Sequence, residues 1–211
     1  MTIQHQTLLS ELLRPKKLSD LLLPDRDIAR LQKMIASGNV QNMLFCGSPG
    51  RGKTSAARIL QRELDADAYE LNGSESSADK QMEKRITSIA HDPTIFLKPK
   101  ILLIDEADYL PERIQQSMRH IVESSSTKCR FILTANDASR IIPALQSRLT
   151  TVNFDLPISE TRSVVERLKS TIPTKLTELG WHFDTERVLQ IISLYYPDMR
   201  SVVNKIEYEF G

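Results

Sequence analysis

Gly47-Ser48-Pro49-Gly50-Arg51-Gly52-Lys53-Thr54 is the stretch on which the fold of this chain turns. It matches G-x-x-x-x-G-K-[ST] in full, and each residue type has a physical reason. Glycines let the backbone curl until several N–H groups point inward at phosphate oxygens. A helix starting at the end of the loop aims the positive end of its dipole at the same anion. Lys53 is long enough to reach β- and γ-phosphates, and the Thr54 hydroxyl suits Mg²⁺. The flanks agree with this reading. Residues 42–46 (Asn-Met-Leu-Phe-Cys) read as a buried strand, and residues 53–63 are good helix formers with Ala57, Ile59 and Leu60 as the apolar set. A chance glycine-rich turn lacks such flanks. The loop therefore predicts ATP and Mg²⁺ as cofactors, with Gly50, Arg51, Gly52, Lys53, Thr54, Ser55 and Ala56 around the phosphates.

Beyond the loop, the next signal is Ile101-Leu102-Leu103-Ile104-Asp105-Glu106, a continuous apolar run ending in two acids. A strand end with solvated acids is common by itself. Placed about 50 residues after a phosphate loop, it supplies the metal-holding acid such a loop needs. Asp105 is expected on Mg²⁺, and Glu106 is expected to polarise the attacking water as general base. Asn136, in Thr134-Ala135-Asn136, falls where a strand meets the ligand edge of a parallel sheet. It either orients the water with Glu106 or starts a turn before Asp137. Arg148 and Arg200 are lone arginines, a type that is more often structural. A catalytic role would require each to face a γ-phosphate, one of them from a neighbour. Lys80, Lys84 and Arg85 form a locally basic stretch diluted by Asp79 and Glu83, and it reads either as a solvated helix face or as a phosphate-backbone contact.

The wider chain supplies the frame. Helices are predicted over 26–37, about 78–90, about 113–123, 159–170 and 184–195, and strands over 68–72, 101–104, 130–134 and 151–154. Strands alternating with helices predict a parallel α/β sheet flanked by helices. After Asp155-Leu156-Pro157 no further strand is visible. The expected organisation is an α/β domain over residues 1–157 and a small all-helical one over 158–211, the latter leaning on the first domain or on a neighbour. At 40% hydrophobic and 26% charged residues the composition is that of a globular chain. A net charge of +1 excludes a global polyanion-binding field, so any nucleic-acid contact is local. Cys46 and Cys129 fit neither a zinc pattern nor a disulfide framework. The N-terminus has no secretory pattern and no run spans a bilayer, so no membrane partner and a cytoplasmic location are expected.

Taken together, these motifs resemble those of AAA+ ATPases, and among them the ATPase subunits of sliding-clamp loaders, of the replication factor C small-subunit and tailed-phage large-subunit types. Asp105-Glu106-Ala107-Asp108 resembles their acidic box. Leu110 through Glu123, with Gln115, Met118 and Arg119, resembles the helix that follows it. Thr134-Ala135-Asn136 is similar to sensor 1. Ile141-Ile142-Pro143-Ala144-Leu145-Gln146-Ser147-Arg148 is similar to the segment carrying the trans arginine finger, with Leu149 where a cysteine is usual. Pro197-Asp198-Met199-Arg200 with Asn204 is similar to the sensor 2 helix, and Leu13-Arg14-Pro15 and Leu22-Leu23-Pro24 to the segment that cradles adenine.

The resemblance implies several roles. Arg148 would be the finger for a neighbouring subunit's ATP, and Arg200 a γ-phosphate sensor in cis. Glu11, Leu12, Leu13 and Leu22 would contact the base, and Lys80, Lys84 and Arg85 the template strand. The implied function is an ATP-driven subunit that helps open a sliding clamp and load it onto primer–template DNA in replication. Its partners would be other loader subunits, the clamp and the DNA. Such subunits usually carry a helical collar, and none is visible before Gly211. Competing readings are a Holliday-junction motor, a helicase loader, or a subunit that binds ATP without hydrolysing it. Asp105-Glu106-Ala107-Asp108 favours the loader, and intact Lys53, Asp105 and Glu106 disfavour a non-hydrolysing role.

Overall fold

A computed structural model describes residues 8–75, 79–93 and 98–211. Ser76, Ser77 and Ala78, where the helix predicted from about residue 78 begins, lie outside the described residues.

The centre is a five-stranded parallel sheet in the order β2-β3-β4-β1-β5. Its strands are β1 (Met43–Cys46), β2 (Asp67–Asn72), β3 (Lys100–Asp105), β4 (Cys129–Ala135) and β5 (Thr150–Asn153). Registers run Met43 to Ile132 between β1 and β4, Met43 to Thr150 between β1 and β5, and Ile104 to Leu133 between β3 and β4. The central strands are apolar without alternation because both faces are covered. Successive side chains nonetheless part to opposite sides. Leu44, Leu102, Ile104, Phe131 and Leu133 face one apolar cluster, with Met82 and Ile86 of α4 (Asp79–His91) and Ile114 and Met118 of α5 (Glu112–Ser124). Met43, Phe45, Ile101, Leu103 and Ile132 face the other, with Ile28 and Leu31 of α2 (Asp25–Ser37) and Ile59 and Leu60 of α3 (Lys53–Glu63).

The remaining helices are α1 (Leu9–Leu12), α6 (Pro143–Gln146), α7 (Ile158–Glu178), α8 (Thr185–Tyr195) and α9 (Met199–Phe210). The predicted strands and helices are present within a residue or two, with one correction. The helix expected over 159–170 runs on to Glu178, across Pro173. A proline inside a helix costs about 3 kcal/mol. Here the apolar period continues beyond it: Val164, Leu168, Ile172 and Leu176 are all buried in a third cluster with Val188, Ile191, Val202 and Ile206. Leu9 is fully buried in that same cluster, and Leu13 and Leu22 pack against it. The Leu9 N–H donates to Glu207 Oε1 at 2.8 Å. The N-terminal segment thus belongs to the helical cluster as much as to the sheet. Cys46 and Cys129 are free thiols. Among the described residues no helix is long and apolar enough to cross a membrane.

Candidate functional site

The loop between β1 and α3 lies at the carboxyl edge of the sheet, where open α/β sheets bind ligands. Gly47, Gly50 and Gly52 have φ of 138°, 74° and 88°, the region that favours glycine. Gly50 is required for a second reason: a Cβ there would fall on the Asp198 carboxylate. The first helical hydrogen bond of α3 runs from the Ala56 N–H to the Gly52 oxygen at 2.9 Å. The helix therefore leaves the N–H groups before Ala56 without intrahelical partners, as an anion site requires. Ala56 itself is turned into the core with its N–H already bonded, so the structure removes it from the cleft.

Lys53 is 7% exposed and folds back over the loop. Its Nζ donates to the Gly47 oxygen at 2.6 Å, the Ser48 oxygen at 2.9 Å and Asn136 Oδ1 at 2.8 Å. Burial pulls its pKa below the ordinary lysine value, against the opposing pull of Asp155, Asp108 and Asp105. Because Ile104 of β3 pairs with Leu133 of β4, the next residues, Asp105 and Thr134, lie side by side. Asp105 Oδ1 accepts from Thr134 Oγ1 at 2.6 Å and from Thr54 Oγ1 at 2.7 Å. The Thr134 hydroxyl in turn accepts from the Glu106 N–H at 2.9 Å. Glu106 is left-handed, with φ of 54°, which turns the chain sharply off the strand. Gly73 makes room for that turn: a Cβ there would sit 2.5 Å from the Glu106 oxygen.

Further buried polar groups hold this arrangement. Asp108, 7% exposed, accepts through Oδ2 from the N–H groups of Asn136 at 3.1 Å and Asp137 at 3.3 Å. Gln115 Nε2 donates to the Leu110 and Arg140 oxygens while its Oε1 accepts from the Ile142 N–H, pinning the segment before Arg148 to the acidic turn. Asp155 accepts the Ser48 N–H at 3.0 Å.

These groups open onto a cavity of about 390 Å³. Of the residues expected there, Leu13, Leu22, Gly50, Arg51, Gly52, Lys53, Thr54, Ser55, Asp105, Glu106, Asn136 and Arg200 line it. Arg200 enters from α9, and among the described residues its guanidinium has no hydrogen bond or ion pair. Glu11 and Leu12 do not line the cavity; Glu11 Oε1 is held by Arg14 at 2.7 Å. Arg148 also lies outside it. Its Nε donates to Glu123 Oε1 at 2.7 Å and its Nη1 to the Ala144 oxygen at 2.5 Å. Lys80, Lys84 and Arg85 lie exposed on α4, with Arg85 3.6 Å from Glu75. Sequence reasoning missed Asp155, Arg58 and Lys175. No local signal marks Asp155, which lies 107 residues from the Ser48 it contacts.

Among the described residues no cluster of three or more His, Cys, Asp or Glu could hold a metal. Mg²⁺ is usually bound by one or two carboxylates together with substrate phosphates and water, not by such a cluster. Thr54 and Asp105, already 2.7 Å apart, are the protein ligands such an ion would use.

A phosphate loop feeding a helix from a central parallel strand, facing acids at the end of the strand next but one, defines a P-loop nucleotide-binding protein. The chain belongs to the ATPase family associated with various cellular activities (AAA), whose family model matches residues 43–156. It is 32% identical over 200 residues to the replication factor C small subunit of Aeropyrum pernix, covering 92% of this chain and 60% of that protein. It is 33% identical over 208 residues to the namesake from Thermoplasma acidophilum, covering 94% and 62%. The chain thus spans about three-fifths of the length of these curated relatives. In fold it is similar to the Thermotoga maritima RuvB Holliday junction branch migration motor, with a TM-score of 0.58 at 19% identity, covering 93% of this chain and 73% of that one.

Proposed function

We propose that this chain is an ATP-hydrolysing subunit of a sliding-clamp loader, active beside a neighbouring subunit on primer–template DNA. The observation that carries the reading is the separation of its two arginines. Arg200 enters the cleft from α9, whereas Arg148 stands outside it, tethered to Glu123 of α5. A site with its acids and lysine in place but one cation pointing elsewhere is completed by a second chain. Likeness to replication factor C small subunits supports the loader over other AAA roles. Likeness to the RuvB motor, at 19% identity, supports the fold alone.

ATP would lie with its base toward Leu13 and Leu22 and its phosphates over Gly50 to Ser55. Lys53 exchanges its contacts with Gly47, Ser48 and Asn136 for phosphate oxygens. Mg²⁺, held by Thr54 and Asp105, would offset charge between the β- and γ-phosphates. Glu106 accepts the proton of the water that attacks the γ-phosphorus, the bond to the β–γ bridging oxygen breaks, and Asn136 orients that water. Residues 158–211, with the N-terminal segment, serve as the lid that carries Arg200. Lys80, Lys84 and Arg85 on the outer face of α4 would follow the DNA backbone, so their removal should reduce the salt dependence of binding. The neighbouring subunits and the clamp are the implied partners, and the replisome in the cytoplasm the implied setting.

The test mixes two inactive variants. Glu106→Gln keeps Arg148 but lacks the base; Arg148→Ala keeps the base but lacks the finger. Each alone should turn over ATP at a small fraction of the wild-type rate with clamp and primer–template DNA present. Mixed, they should regain activity, because the first supplies its finger to the second. Full-rate turnover by Arg148→Ala alone would refute the proposal.

A further inference from the structure

Arg51 of the phosphate loop reaches the residues just before α9. That side chain is 10% exposed. Its Nη1 donates to the Tyr196 hydroxyl at 3.3 Å, and its guanidinium carbon lies 5.3 Å from the centre of the Tyr196 ring. Its Nε stands 3.4 Å from Asp155 Oδ1 but is buried without a hydrogen-bond partner. The Asp155 carboxylate is meanwhile shared with the loop, accepting the Ser48 N–H through both oxygens at 3.0 Å.

Just beyond Tyr196, Asp198 caps α9. It accepts from the N–H of Arg200 at 3.0 Å, the N–H of Ser201 at 3.3 Å and the Ser201 hydroxyl at 2.7 Å. Its carboxylate also occupies the space that a Cβ on Gly50 would need. Adjacent loop residues, Gly50 and Arg51, thus meet the two residues flanking Pro197, immediately before the helix that presents Arg200.

We infer that Arg51 is a positioning residue and not a phosphate ligand: its guanidinium bridges Asp155 and Tyr196 and so fixes the start of α9, with Arg200, over the phosphate loop. The chemistry asks for arginine. A planar fork can lie against an aromatic ring, donate to a hydroxyl and keep a carboxylate at ion-pair distance at once, and a lysine ammonium cannot do all three. The charged end is already committed to Asp155 and Tyr196, whereas the backbone N–H groups of this loop and Lys53 are the groups that meet phosphates. The partnerless Nε leaves slack in the bridge. Because Asp155 also holds Ser48, a shift of the loop toward phosphate alters the Arg51–Asp155 separation and is felt at Tyr196 and α9.

The inference rests on the cleft being an ATP site, and the experiment separates the two. Backbone amide hydrogen exchange over residues 199–203 is measured on the nucleotide-free chain. Affinities for ATP and ADP are measured for Arg51→Met, Arg51→Lys, Tyr196→Phe, Arg200→Ala and the Arg51→Met/Arg200→Ala pair. Arg51→Met should raise exchange over residues 199–203 about tenfold, the size expected for a partly desolvated cation–π contact with its hydrogen bond, and leave β3 and β4 unchanged. It should lower the preference for ATP over ADP as Arg200→Ala does, and the double variant should be no worse than Arg200→Ala alone. Tyr196→Phe, which keeps the ring, should show the same change in smaller measure, and Arg51→Lys should not rescue.

Unchanged exchange in Arg51→Met overturns the bridge. So does an equal loss of ATP and ADP affinity that adds to that of Arg200→Ala, which is the signature of a direct phosphate ligand. So does full rescue by lysine. If Lys53→Ala still binds ATP as wild type does, the ATP site itself is wrong, and the exchange measurement still decides the bridge.

Discussion

Removing the Asp108 carboxylate should destabilise the chain by an amount that follows from its contacts. Asp108 is 7% exposed, and its Oδ2 accepts from the N–H groups of Asn136 and Asp137 at 3.1 and 3.3 Å. Hydrogen bonds to a charged group contribute about 1.5–3 kcal/mol each. These are longer than the ~2.8 Å of strong charge-assisted bonds, so the lower end applies, about 3 kcal/mol for the pair. Against this, Oδ1 is buried without a partner. Deleting that orphan returns about 1 kcal/mol. Asp108→Ala should therefore lose about 2 kcal/mol, a fall in Tm of roughly 4–8 °C for a chain of this length. Asp108→Asn keeps an oxygen for both N–H groups and puts an amide where the orphan was, so it should lose less than about 1 kcal/mol. Differential scanning calorimetry of the two variants reads this directly. The same backbone carries Asn136, whose Oδ1 accepts from Lys53, so Asp108→Ala should also slow ATP turnover more than it weakens ATP binding. An alanine variant melting within a degree of wild type, or an asparagine variant melting as low as alanine, would show that these two bonds do not hold the turn.

Other expectations are narrower. Burial lowers the Lys53 pKa below 10.5, so the unfolded chain binds its proton more tightly than the folded one. Stability from this group therefore rises as pH climbs through the folded value toward 10.5, and urea midpoints of wild type minus Lys53→Met should show that rise; a flat difference contradicts it. Gly50→Ala should melt below Gly52→Ala, since both have positive φ but only at Gly50 does a Cβ meet the Asp198 carboxylate; equal melting would show the carboxylate yields freely. Glu209, paired with Arg187 and Lys205, is held at about 2 instead of 4.5. Its stabilisation is complete above about 4.5 and is lost as pH falls through about 2, so Glu209→Gln should flatten that limb of the acid unfolding curve.

What the sequence made legible was local. The phosphate loop, the strand ending at Asp105 and the helix after Pro111 announce themselves within a few residues, because glycine conformation, apolar continuity and caps act at short range. The Thr134 hydroxyl was hidden in plain sight: it bonds Asp105 and Glu106 only because β3 and β4 pair in one register. Glu106 carried no mark of its left-handed turn, which depends on the absence of a Cβ at distant Gly73. Pro173 is a helix-ending signal overridden by Ile172 and Leu176, whose burial is a property of the packed helices. Ala56, placed in the cleft by its motif position alone, is buried, since the turn that begins at Lys53 rotates it into the core.

The burial of Leu9 among the last helices has a consequence for how the molecule is made. A ribosome releases the N-terminal segment long before α9 exists, yet Leu9 finds its place only against that helix, with Glu207 receiving its N–H across 198 residues of sequence. Until then an apolar tether must wait while the sheet forms between its two halves. The helical segment therefore cannot be a late, separable appendage. It closes a circuit, and a cut near Pro157 would leave the helical piece without Leu9, a part of its own interior.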